Sequence, residues 1–85
     1  MKLSSEFKEM AKLLASITSV EEMENLLVGL LTPKERQELP KRIQIVRMLK
    51  KGVVQHTIAK KLGVGIATVT RGAKEIQQGT FQSIS

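Results

Sequence analysis

The chain contains no cysteine, tryptophan or tyrosine, has a single histidine, and lacks any long apolar run. Without cysteine there is no disulfide to staple the fold and no thiolate to hold a metal. His56 alone does not make a metal site, because no spacing of acidic residues brings partners to it. One histidine, no cysteine and no clustered acids leave nothing poised as base or nucleophile, so an enzyme is not expected. No apolar stretch approaches the roughly 20 residues of a membrane span. Residues 1–16 mix apolar positions with Glu and Lys rather than forming a signal peptide, so a soluble cytosolic protein is expected.

What is present is charge, unevenly placed. Residues 1–31 carry three lysines and five glutamates, a net −2, whereas residues 32–85 carry eleven Lys or Arg and three Glu, a net +8. A half that basic is either a solvated surface or the footprint of a polyanion. With 85 residues, a single core is marginal, since short chains bury a small share of their surface. Association with another copy is the expected remedy.

Helical spacing runs through the whole chain. Leu3, Phe7, Met10, Leu14 and Ile17 recur at four, three, four, three, one stripe of a helix starting near Ser4 or Ser5. Ser19 with Glu22 forms a capping box ahead of a second helix from Val20 to about Leu30, with Val20, Met23, Leu27 and Leu30 inward. Thr32-Pro33-Lys34-Glu35 repeats the box with proline at the first helical position. The third helix should end at Gly52, with Leu39, Ile43, Val46 and Leu49 as its buried stripe. Pro40 interrupts it, and a break or kink near Leu39–Pro40 is expected, at about 3 kcal/mol in a regular helix. Two short helices follow, about Val54–Lys61 and Ile66–Gln77, joined by Gly63-Val64-Gly65. Residues 79–85 read as a polar, frayed tail.

The segment Gln55–Gly72 fits a helix-turn-helix. Ala59 is small where a second helix crosses, Gly63 suits a left-handed turn, and Ile58, Leu62, Val64 and Val69 are apolar where the helices pack. The same pattern also fits an αα-corner without a ligand. In the DNA-binding geometry the second helix enters the major groove by its N-terminal residues. Ile66, Ala67 and Thr70 then face the bases, with Thr68 and Lys74 nearby. Gln55 and His56 are candidates for phosphate or base-edge contacts, although His56 also reads as a plain surface residue. Thymine-methyl contacts, threonine hydroxyls and bridging water would carry much of the reading.

The run Leu31-Thr32-Pro33, then Arg42 and Gly52, then Leu62–Gly72 resembles the bacterial tryptophan repressor family over roughly residues 20–77. The resemblance implies an all-α, multi-helix, intertwined homodimer. It also implies a transcriptional repressor of palindromic double-stranded operator DNA, with L-tryptophan as co-repressor. Residues 1–52 would supply the dimerisation and core helices, 53–78 the helix-turn-helix, and 79–85 a flexible tail. Carried over by position, Arg42 and Arg71 would flank the indole in a hollow left by Gly72. Arg71 and Thr32 would meet the carboxylate, and Thr68 would wall the ring. Backbone carbonyls of Gly29 and Leu31 at the end of the partner protomer's second helix would meet the ammonium.

The chain departs from the family pattern in four places. Glu75 stands where a serine is usual, near the ligand ammonium. Pro40 replaces a flexible small residue, and one residue is missing between Gly52 and Gln55. The family's final helix is absent or reduced to the tail. Other readings remain open. Arg42 and Arg71 also fit phosphate contacts, and Gly72 also fits a close helix contact. A relative that does not sense tryptophan, and a helical module that docks on a protein through the Leu3–Ile17 stripe, are the alternatives.

Overall fold

A computed structural model describes residues 1–85, all of them helix, turn or coil, with no strand. Five helices run in order: α1 (Ser5–Ser16), α2 (Val20–Leu30), α3 (Pro33–Lys50), α4 (Gln55–Leu62) and α5 (Ile66–Gln77). No helix is long and apolar enough to cross a membrane. The chain divides into two compact units, residues 1–36 and 37–85.

In the first unit, local chemistry sets the helix starts. The Ser4 side chain accepts from the Phe7 amide at 3.1 Å, and Ser19 accepts from the Glu22 amide at 3.3 Å. At α3 the capping box closes in both directions. The Glu35 amide donates to Thr32 Oγ1 at 3.2 Å, and the Thr32 amide donates to Glu35 Oε1 at 2.8 Å. Neither α1 nor α2 has a buried residue. Leu3, Phe7 and Met10, three of the five residues of the expected α1 stripe, are exposed, and so are Val20 and Leu30, which the periodicity placed inward. Their spacing marks an apolar face, but within one chain nothing covers it.

The second unit has a core. Ile45 of α3, Ile58 of α4 and Val69 of α5 meet in it, almost without solvent exposure. Met48, Leu49, Val53, Ala59, Leu62 and Val64 pack around them. The expected α3 stripe is partly corrected. Val46 is buried, but Ile43 is exposed and Ile45 is buried in its place. The reason is rotational: Ile45, Met48 and Leu49 lie three and four residues apart, and that face turns toward α4 and α5.

Of the break or kink expected near Leu39–Pro40, the break does not occur, because α3 runs without interruption from Pro33 to Lys50. Pro40 has no amide for the Arg36 carbonyl, yet both residues are exposed, so water can serve that oxygen. At its other end α3 closes in a Schellman motif. The Val53 amide donates to the Met48 carbonyl and the Gly52 amide to the Leu49 carbonyl, both at 3.0 Å. The hydrophobic contact typical of the motif is supplied by Met48 and Val53, both packed on the core.

The α4–α5 turn uses the same device. Gly63 sits at φ 66°, ψ 37°, in the left-handed region, where a Cβ costs roughly 1–2 kcal/mol. The Val64 amide then reaches back to the Ala59 carbonyl at 3.0 Å and carries Val64 into the core. α4 begins and ends one residue later than its spacing suggested, while α5 has the expected bounds.

Residues 79–85, expected to fray, fold back in turns instead. The Thr80 amide donates to the Glu75 carbonyl at 3.1 Å, and the Ile84 amide to the Phe81 carbonyl at 3.2 Å. The Lys50 ammonium at the end of α3 donates to the carbonyls of Phe81 and Ile84. A lysine that the sequence placed only against the helix dipole thus also holds the chain end.

Candidate effector cleft and reading helices

α4 and α5 pack directly on each other, so the three-residue turn fixes how α5 is presented. At the start of α5, Ile66, Ala67 and Thr68 are exposed, and Gly65 provides no side-chain cap. The Thr68 amide donates to the Gly65 carbonyl at 3.1 Å, and the exposed first turn lies at the positive end of the helix dipole. Lys74, about two turns further along, is exposed, and so are His56, Lys60 and Lys61 on α4. This surface is basic and carries no acid from Gln55 to Lys74.

Two residues assigned to DNA contact are already engaged with each other. The Thr70 hydroxyl donates to Gln55 Oε1 at 2.9 Å, in a partly buried contact, and lies 3.0 Å from the Ile66 carbonyl. Neither side chain is the free surface group that its position suggests.

Behind the turn lies a cleft of about 300 Å³, lined by Glu38, Lys41, Arg42 and Ile45 of α3, Gly63, Val64 and Gly65 of the turn, and Thr68 of α5. That volume is at the lower end for small-molecule sites. Arg42 and Thr68 were both expected in such a site. Glu38, Lys41 and Ile45 were missed, although Glu38 lies four before Arg42 and Ile45 three after it, a signal of a shared face, and Lys41 stands three after Glu38 and four before Ile45. The lining therefore offers both signs of charge, with a carboxylate one helical turn from a guanidinium.

The other expected effector residues stand apart from this lining. Arg71 is exposed on α5. No hollow opens at Gly72, because a Cβ there would meet Ile45 Cγ2 at 3.2 Å and Leu49 Cδ1 at 3.6 Å. At this glycine α5 lies against α3, and Ile45 and Leu49 already fill the space above it. Glu75 is tied to the chain end, its Oε2 accepting from the Thr80 hydroxyl at 2.7 Å. Gly29, Leu31 and Thr32 belong to the first unit. There the Leu31 amide donates to the Leu27 carbonyl at 2.9 Å, and Thr32 is engaged in the α3 cap.

Comparison with known proteins places the chain in a family. The model of the Trp repressor protein family matches residues 5–83. A protein of Vibrio cholerae named Trp operon repressor homolog is 42% identical over 74 residues, covering 86% of this chain and 72% of the relative. Its namesake in Vibrio parahaemolyticus is 40% identical over 73 residues, covering 85% and 71%. One from Vibrio vulnificus reaches 50% identity over 62 residues, covering 69% and 61%. No solved structure matches. With almost its whole length matched, this chain belongs to the Trp repressor protein family, whose members are transcription regulators rather than enzymes.

Proposed function

We propose that the protein is a homodimeric, operator-binding repressor that uses L-tryptophan as co-repressor. The observation that carries the effector part is the cleft between α3 and the α4–α5 turn. It is of small-molecule size and presents Arg42, Lys41 and Glu38 together with Thr68. A zwitterionic amino acid needs both signs of charge within a few ångströms, and an aromatic one benefits from a flat guanidinium on which to stack. Arg71 on α5, with Thr32 and the Gly29 and Leu31 carbonyls of the partner protomer, would complete the site in the dimer, as the family pattern has it.

The DNA-binding part rests on the basic surface of α4 and α5 and on the small, exposed first turn of α5. Ile66, Ala67 and Thr68 suit contact with base edges and thymine methyls, while Lys74, His56 and Gln55 suit the flanking phosphates. Residues 53–78 form the reading head, and residues 1–52 supply the dimer core. Support for the dimer comes from α1 and α2, whose apolar residues Leu3, Phe7, Met10, Leu13, Val28 and Leu30 are exposed in one chain. Two-fold symmetry calls for a palindromic operator. The two heads would then sit about 34–36 Å apart, a figure for helix-turn-helix dimers at large, this family among the standard examples. Tryptophan shifts the population toward that spacing through its differential affinity for it.

The test is a titration of L-tryptophan followed by the ligand's own fluorescence anisotropy, since the chain contains neither Trp nor Tyr. A saturable rise is expected, lost in Arg71→Ala while the circular dichroism spectrum stays helical. No rise with folded, dimeric protein would refute the tryptophan reading. A normal rise in Arg71→Ala would refute the pocket assignment.

A further inference from the structure

The contact between Gln55 and Thr70 joins the first residue of α4 to the fifth residue of α5. It spans the pair at the end where α5 would meet DNA. A threonine hydroxyl has one proton, and here both nearby acceptors, Gln55 Oε1 at 2.9 Å and the Ile66 carbonyl at 3.0 Å, belong to the protein. The donor of Thr70 is thus spent inside the fold. What remains of that side chain for an outside partner is its γ-methyl group and an oxygen that can accept but not donate. Gln55 is altered in a complementary way. Its oxygen is occupied by Thr70, and its amide nitrogen keeps two protons to give.

We infer that Gln55 is a positioning residue that clamps Thr70, so that Thr70 presents its methyl group and no hydroxyl proton to DNA, and Gln55 presents its amide protons. This rests on the DNA-binding reading of α4 and α5 given above. In the major groove the apolar feature is the thymine C5-methyl, so Thr70 favours an A·T pair beneath it by apolar contact and not by donating a hydrogen bond. The Gln55 amide donates to a phosphate oxygen. Because one end of that side chain is already pinned, less rotamer freedom is lost when the contact forms. The clamp also couples the two helices, so the first turn of α5 keeps its rotation when the head docks.

The clamp can be read without DNA. In the free full-length protein, Thr70→Val should shift the NMR signals of the Gln55 side-chain amide, whereas Thr68→Val should leave them in place. For the DNA half, the probe is a duplex selected by the wild-type chain with L-tryptophan from a random-sequence pool, against a scrambled duplex of equal length. Thr70→Val keeps the methyl and loses the hydroxyl, so it should retain the preference for the A·T pair beneath it. Like Gln55→Ala, it should lower the preference for the selected over the scrambled duplex, because the clamp is lost. Thr70→Ser keeps the hydroxyl and loses the methyl, and it should weaken binding about tenfold at one A·T pair, the low end for a single apolar group. Gln55→Ala should lower the preference for the selected over the scrambled duplex. Combined with Thr70→Val, it should lose less than the sum of the two single effects, because the pair acts as one unit.

An unmoved Gln55 signal in Thr70→Val overturns the clamp. Loss of the preference for that A·T pair in Thr70→Val, with no loss in Thr70→Ser, overturns the methyl reading. If the wild-type chain selects no duplex, the DNA-binding reading fails with the methyl reading, while the NMR result still decides the clamp.

Discussion

Gly63 and Gly65 stand two residues apart in the α4–α5 turn, and substitution by alanine should affect them differently. At neither position would an added Cβ meet any atom within 4 Å, so crowding contributes nothing and backbone conformation decides. Gly63 lies at φ 66°, where a Cβ approaches the following carbonyl and costs roughly 1–2 kcal/mol. Gly65 lies at φ −70°, ψ 149°, a region open to any residue. There alanine gains roughly 0.4–1 kcal/mol by restricting the unfolded chain. Alanine is, however, a poorer helix N-cap than glycine, and the two effects nearly cancel. For a domain of this size each kcal/mol moves Tm by roughly 4–8 °C. Gly63→Ala should therefore melt at least 4 °C lower, and Gly65→Ala should stay within a few degrees of wild type. The assay is thermal denaturation by circular dichroism at one fixed protein concentration, because oligomerisation makes Tm depend on concentration. Gly65 also lines the cleft, so its alanine variant should bind tryptophan more weakly despite normal stability. Equal melting shifts in the two variants, or a larger one at Gly65, would refute the assignment of the turn to a left-handed Gly63.

Two further outcomes are expected. Glu38→Gln removes the one carboxylate in the cleft lining and should reduce the preference for L-tryptophan over indole-3-propionate, which lacks the ammonium, by about tenfold. Competition between the two ligands measures this, and an unchanged preference would exclude Glu38 from ammonium recognition. Phe7→Glu places a charge on the exposed apolar face of α1 and should convert a dimer to monomer in sedimentation velocity. A variant that stays dimeric would move the interface off that face.

The helix boundaries were written locally, which is why they were legible. Ser19, Thr32 and Glu35 act on amides within three residues, and Gly52 and Gly63 act through their own φ angles, so no distant contact is needed to place them. The failures have a common cause. Ile43 and Ile45 differ by two positions on one helix, and both are β-branched and apolar. Only the direction from which α4 and α5 approach α3 decides which of them is buried. Pro40 carried a sound local argument for a break, yet the helix continues, because the exposed Arg36 carbonyl can turn to water. The chain end looked too polar to order itself, but Lys50, some thirty residues earlier, supplies the donor that holds it.

The functional residues divide along the same line. The sequence by itself determined the family, the helical class, the basic half and the candidate residues Arg42, Thr68 and Arg71, because these are matters of residue type at fixed spacing. Only the tertiary structure decided that Glu38 and Lys41 join Arg42 in the cleft lining, that Gly72 lies beneath Ile45 and Leu49, and that Gln55 holds the hydroxyl of Thr70. Each of these depends on the distance between atoms of different helices. That distance is set by how the helices pack around Ile45, Ile58 and Val69, and no spacing along the chain encodes it directly.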